Sequence, residues 1–304
     1  MKENKVVNSF KDDDSINFFA IYTVVWSQRK LILSCTTLIA VISLLFAIYQ
    51  DNIYKSEAIF LVKEDSSSAN ISSNLGGLAS FAGINLPSGS QNKSDLIIET
   101  IKSREFFRNL SSIDGILPGI YASSHYLPEN ETLYFSDIYD ESSSSWLKTE
   151  PNYLEAHRLF QRDFNVELNK QNGFIYVSYE HKSPIFASNL LQVVLDEIDK
   201  LFREKDMSES TDALSYLKSE LIATKQLEVK QSINQLIKAQ LETQMISKIS
   251  ENYILDIVEP PFVPDKKYSP NRALLILIAT FAGFFTTVFL VLIFNFLLRQ
   301  SGED

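Results

Sequence analysis

Apolar and polar positions are arranged along this chain in three ways, and each predicts a different element. Residues 31–49 and 273–298 are continuous apolar runs free of charge. Each is close to or above the ~20 residues that a helix needs to cross a bilayer. Ser34, Thr36, Thr37 and Ser43 in the first run can bond back to their own helix. Backbone in lipid must pair internally, so both runs are predicted to be helices. The first is no cleaved leader. Its apolar core is long, it starts thirty residues in, and Asp51, Asn52, Ile53 and Tyr54 offer no small-residue cleavage pattern.

Between the spans the period shortens to two and then lengthens to that of a helix. Residues 54–62 end in a β-favouring apolar run and predict a strand. Residues 94–110 place Leu96, Ile97, Ile101, Phe106 and Leu110 near helical spacing. Residues 114–151 carry Pro118, Pro128, Pro151 and the serine run 142–145, and read as irregular. A short amphipathic helix is predicted over 153–163. Two strands, 164–168 and 174–179, are predicted to be joined by a turn at 169–173 that ends in Gly173.

From 185 to 259 there is neither glycine nor proline. Leu190, Leu191, Val194, Leu195, Ile198, Leu201 and Phe202 form one helical stripe. Leu214, Leu217 and Leu221 form another, and Ile233, Leu236, Ile237 and Leu241 a third. Residues 252–258 turn β-like. As one helix, 185–251 would reach on the order of 100 Å. A chain that starts after a hairpin and ends before a span has to go out and return. Residues 208–211, rich in N-cap types, and Ala223-Thr224 are both candidate breaks. The outcome is either an antiparallel arm, whose wet stripes neighbouring copies would cover, or a compact helix pair folded onto the β elements.

Composition narrows the chemistry. The loop between the spans carries the whole net charge of −10, with no Lys/Arg stripe interleaved with aromatics, which argues against nucleic acid. The sole cysteine, Cys35, lies in the first span, so neither an intrachain disulfide nor a Cys-based zinc site is expected. His125, His157 and His181 are scattered, no phosphate loop or GxSxG occurs, and no constellation for a reaction is found. No enzyme, cofactor or metal site is expected. Arg29 and Lys30 before the first span, with Trp26 as an interfacial anchor, favour a cytoplasmic N-terminus. Lys266, Lys267 and Arg272 before the second span argue the other way, but a loop this long is largely exempt from the charge rule.

Residues 259–272 read Glu-Pro-Pro-Phe-Val-Pro-Asp-Lys-Lys-Tyr-Ser-Pro-Asn-Arg. Pro261, Pro264 and Pro270 keep a three-residue register, the turn of a stiff polyproline II spacer. A proline-rich stretch ending in Pro270, Asn271 and Arg272 at the mouth of a second span closely resembles the polysaccharide chain-length determinant (Wzz) family, the polysaccharide co-polymerases. The small apolar segment 77–84, the Ser183-Pro184 helix start and the apolar segment 236–242 are similar to stretches of that family. Lys267 departs from the pattern where the register would place another proline.

The resemblance implies an α+β fold: two transmembrane helices flank a periplasmic α/β base domain with a long projecting helical arm. It also implies a ring-like homo-oligomer in the bacterial inner membrane. The expected divisions are a cytoplasmic tail (1–30), transmembrane helix 1 (31–49), the first part of the base (50–183) and the arm (184–251). A returning base strand (252–259), the proline-rich linker (260–272), transmembrane helix 2 (273–298) and a second cytoplasmic tail (299–304) complete the chain. With six residues after the second span, the tyrosine-kinase domain of related capsule co-polymerases is not expected here.

The implied function is to set the modal length of O-antigen or a related lipopolysaccharide polymer, as a scaffold for a membrane-embedded polysaccharide polymerase and for the growing polysaccharide. A capsule or exopolysaccharide export co-polymerase has the same architecture. A two-span sensor with a periplasmic ligand domain is the reading from another class. Pro261, Pro264, Pro270, Asn271 and Arg272 are the linker candidates. Ala279, Gly283 and Thr287 recur at four-residue spacing, either as a helix-packing face or as a stripe around a glycine tolerated in lipid. Gly76, Gly77 and Gly83 lie in a segment that is either a loop or a close-packing surface. Together with Leu217, Leu221 and Leu236 they are the candidates for contact with another subunit or partner.

Overall fold

The computed structural model describes residues 18–63, 89–129 and 131–300. They fall into two compact units, one drawn from 1–50 and 270–304, the other from 51–269. The first holds α1 (Phe18–Ser27), α2 (Arg29–Tyr49) and α9 (Arg272–Gln300). α2 and most of α9 are long and apolar enough to cross a membrane, and little of either is buried within the protein.

The second unit is built on a four-stranded antiparallel sheet. Its strands are β1 (Tyr54–Val62), β6 (Phe164–Leu168), β7 (Ile175–His181) and β8 (Leu255–Glu259), in the order β6-β7-β1-β8. Period-two alternation decides which face is covered. Tyr54, Ser56, Ala58 and Phe60 of β1 stand opposite His181, Tyr179, Val177 and Ile175 of β7, and all eight are buried. Phe164 and Val166 continue that layer on β6. Gly173, at φ +77°, supplies the left-handed residue that closes the β6–β7 hairpin, donating its N–H to Asn169 O at 2.8 Å.

Helices cover this face. α3 (Gly89–Lys102), α4 (Arg104–Ser111), α5 (Ile116–Tyr121), α6 (Tyr153–Asp163) and the start of α7 (Pro184–Ala223) bury Ile97, Ile101, Phe107, Leu110, Phe160, Leu190 and Leu191 against it. The helix predicted over 94–110 is two helices. Ser103 leaves helical geometry and its hydroxyl accepts from Phe106 N at 3.1 Å, ending α3 and capping α4. α6 has its predicted bounds, capped by Asn152 Oδ1, which accepts from Leu154 N.

The stretch expected to be irregular is ordered beyond α5. It contains two small antiparallel pairs, β2 (Ser123–Leu127) with β3 (Thr132–Phe135) and β4 (Tyr139–Asp140) with β5 (Ser145–Trp146). Phe135, Tyr139, Trp146 and Tyr121 stack edge to face through this lobe. Aromatics spaced too widely for a periodic signal hold it together.

α7 starts with Ser183 as cap and Pro184 at its first turn, where a missing N–H has no consequence. Its 40 residues make ~60 Å of helix. The break lies at residues 224–226, not at 208–211, where Ser210 and Thr211 bond to Met207 O within an unbroken helix. α8 (Leu227–Ile249) returns antiparallel along α7.

Candidate functional site

Three arrangements carry or adjoin the features that the sequence singled out. The first is the neck of the helical hairpin. Asp199 is 6% exposed and its carboxylate accepts from Tyr253 N at 2.8 Å and Ile254 N at 2.8 Å. One turn on, Arg203 pairs with Asp199 at 2.9 Å. Its remaining donors reach Ser247 O at 2.7 Å, Ser250 O at 2.8 Å and Glu251 O at 2.8 Å. Ser247 and the cap residue Ser250 supply carbonyls at the end of α8 that lack partners within the helix, and Glu251 lies just past it. One ion pair therefore fastens the end of α8 and the start of β8 to α7, and neither Asp199 nor Arg203 is left with a buried side-chain atom lacking a partner. Tyr253 adds an O–H bond to Asp206 at 2.7 Å.

Sequence reasoning passed over this pair. The available signal was an acid on the apolar side: Asp199 follows Leu195 by four residues and precedes Phe202 by three, both of them buried.

Beyond the neck α7 and α8 bury little. On α7 only Ser210 and Leu214 are buried past Phe202, and on α8 only Ile233 and Ser247. Leu217 and Leu221 are half-buried, and Leu236 is exposed. Ile222, Leu227, Leu241 and Met245 are exposed as well. Gly76, Gly77 and Gly83 lie outside the described residues.

The second arrangement is the proline-rich segment, which is not a free spacer within its unit. Past β8 it runs back along β1. Ser56 Oγ donates to Phe262 O at 2.7 Å, and Ile53 exchanges bonds with Ser269 O (2.8 Å) and Tyr268 N (2.8 Å). Lys55 lies over the Tyr268 ring at 5.1 Å. Pro264 is buried and Pro261 half-buried. Prolines lack the donor that an inner strand needs, so the segment lies at the edge with few ladder bonds.

In the other unit, Asn271 precedes α9. Its Oδ1 accepts from Leu274 N at 3.3 Å and its carbonyl from Leu275 N at 3.0 Å. Arg272 Nη2 donates to Gln50 O, the cap residue of α2, at 3.0 Å. Asn271 thus starts the second apolar helix, and Arg272 ties its beginning to the end of the first. Pro270 stands just before them, half-buried.

The third arrangement is the small-residue face. Gly283 and Thr287 are buried and Ala279 half-buried on α9, which packs along α2. A Cβ on Gly283 would lie 2.7 Å from Ile39 Cγ2, well inside van der Waals contact. On α2 the buried positions are Ile32, Ser43 and Ala47. Small side chains on both helices permit close approach.

A buried histidine lies apart from all three. His181 Nδ1 accepts from Ser183 N at 3.1 Å, so the ring is neutral with its proton on Nε2, which faces Gly119 O and Ser123 Oγ at 3.1 Å each. Burial lowers its pKa to about 4, against the smaller opposing effect of the Gly119 carbonyl. This ring positions backbone, with Phe186 packed at 4.5 Å. Among the described residues, no group of three His, Cys, Asp or Glu side chains is placed to hold a metal.

Residues 14–112 match the family model for Wzz, the chain length determinant protein. The match runs from ahead of α1 to the end of α4 and stops short of the arm and the proline segment. The chain is also similar to a "full-length bacterial polysaccharide co-polymerase", 14% identical with a TM-score of 0.42, covering 94% of this chain and 99% of that one. It is similar to a "Fragment of WzzB, Polysaccharide Co-polymerase from Salmonella Typhimurium", 14% identical with a TM-score of 0.33, covering 72% of this chain and 100% of that one. No curated protein matches the chain.

Proposed function

We propose that this protein regulates polysaccharide chain length, acting as a homo-oligomeric inner-membrane scaffold that sets the modal length of O-antigen on lipopolysaccharide. The observation that carries the reading is the match of residues 14–112 to the chain length determinant family. In this reading α2 and α9 span the membrane, both termini are cytoplasmic, and residues 51–269 are periplasmic. The exposed apolar residues of α7 and α8 suit burial against further copies of the chain, since apolar surface left in water is unfavourable by about 25 cal/mol per Å². The partners are then a membrane-embedded polymerase and its growing glycan. The protein's part is to hold and position, not to catalyse.

The test is a gel profile of surface polysaccharide from a deletion strain, with and without the gene restored. Restoration of a clustered length distribution supports length regulation. Loss of all surface polymer in the deletion strain favours export of capsule or exopolysaccharide by the same architecture. An unchanged profile in both strains removes the proposal and reopens the sensor reading. In the restored strain, Gly283→Leu is expected to shift the modal length while residues 51–269 stay folded, because its side chain must displace Ile39. Unchanged length at normal expression counts against a role for that face.

A further inference from the structure

A recessed cavity of ≈ 440 Å³ opens where α3 ends, α4 begins and α6 passes beneath. Lys102, Ser103, Arg104, His157, Arg158 and Gln161 line it, and no acid does. Arginines nearby are matched to acids: Arg108 to Glu105 at 3.3 Å and Arg162 to Asp163 at 2.7 Å. Lys102, Arg104 and Arg158 form no ion pair among the described residues, and all three are exposed.

Two acceptors at the lining are already engaged: Ser103 Oγ accepts from Phe106 N at 3.1 Å, and the Lys102 carbonyl has two donors. Lys102 O, at the end of α3, accepts from Gln161 Nε2 at 3.0 Å and from His157 Nε2 at 3.1 Å. His157 is 5% exposed and packs on Phe107, which fixes the floor. Lys102, Arg104 and Arg158 thus line a cavity that no carboxylate lines, in a chain whose net charge is −10. Glu99, Glu105 and Glu155 lie within one helical turn of Lys102, Arg104 and Arg158 in sequence but do not line the cavity; Glu105 is engaged by Arg108 at 3.3 Å, and Glu155 accepts from the Tyr121 hydroxyl at 3.3 Å.

We infer that this cavity binds an oxyanion, a carboxylate or a phosphate, gripped by Arg104 and Arg158 with Lys102 supplying further charge. Guanidinium forks suit either group, because two parallel N–H donors match two oxygens. Naming the source rests on the polysaccharide reading above: an acidic sugar in the glycan presents a carboxylate, and a phosphorylated species presents a phosphate.

The test is calorimetric titration of the purified full chain in detergent with octagalacturonate, with inorganic phosphate and with neutral maltooctaose. The expected result is saturable binding of at least one anion, none of the neutral sugar, and affinity at least tenfold weaker in Arg104→Gln and in Arg158→Gln, with Arg158→Lys intermediate. Tighter binding of octagalacturonate assigns the carboxylate of a glycan, and tighter binding of phosphate assigns a phosphate. Absence of binding for both anions overturns the inference, and so does equal binding of maltooctaose or affinity unchanged in both glutamine variants. Far-UV circular dichroism and a thermal melt establish that the variants are folded. These are solution measurements, so they fail independently of the length profile in cells.

Discussion

The two halves of α7 have similar apolar spacing and opposite fates. Between Ala187 and Phe202 its stripe is buried against the sheet and against α3 and α4. Beyond Arg203 the stripe continues through Leu214, Leu217 and Leu221, yet only Leu214 is buried. The first half meets a layer already assembled from β1 and β7. Among the described residues the second packs chiefly along α8, one helix wide. Periodicity specifies which side of a helix is apolar, and topology decides whether anything lies against it.

The comparison is broken most severely at the junction. Asp199→Ala leaves Arg203 half-buried and the Tyr253 and Ile254 amides unanswered, and is expected to cost about 4 kcal/mol. A denaturant melt followed by circular dichroism measures it; a loss under 1 kcal/mol would mean that the neck is held by packing alone. Leu191→Ala, in the buried half, removes a side chain with no exposure and is expected to cost about 3 kcal/mol in the same assay.

Acid probes the layer beneath that half. His181 takes its proton near 6.5 when unfolded and only near about 4 in the fold. The unfolded chain therefore binds more protons in between. The stability contributed by the neutral ring is complete above about pH 6.5 and lost as pH falls toward about 4, by at most about 3 kcal/mol. Melts at pH 7.5 and pH 5 should show this fall, and His181→Gln should flatten it; an unchanged slope would place the titration elsewhere.

The smallest effect is expected in the exposed half. Leu236→Ala should alter single-chain stability by no more than about 0.5 kcal/mol. On the oligomer reading it should lower the mass of the detergent-solubilised assembly, as light scattering would record. A large stability loss with unchanged mass would show that the two halves of the helical hairpin are one core.

Much of this organisation is legible in the sequence. β1 and α6 have their predicted bounds because alternation and helical spacing are local signals. The break within 94–110 was missed, since Ser103 breaks the helix by capping its successor, which a count of apolar positions does not register. Between the two candidate turns of the arm, N-cap residue types misled: Ser210 and Thr211 bond backward to Met207 O and stay helical. The proline register suggested an isolated spacer, and its contacts with Ile53 and Ser56 lie about 200 residues away in the chain, beyond any local pattern. Of the site, Pro270, Asn271 and Arg272 were visible as a cluster, whereas the bond from Arg272 to Gln50 O needed the fold.

The clasp between Asp199 and Arg203 has a consequence for how such a chain can change over generations. Anchorage is completed at the neck, and the residues beyond it answer chiefly to one another. Two matched heptads, one added to each limb of the hairpin, would lengthen the arm by ~10 Å at ~1.5 Å per residue and leave the sheet, the clasp and the apolar helices untouched. Reach is therefore a quantity that insertion and deletion can tune separately from foldability, so related chains can diverge in arm length while keeping one base.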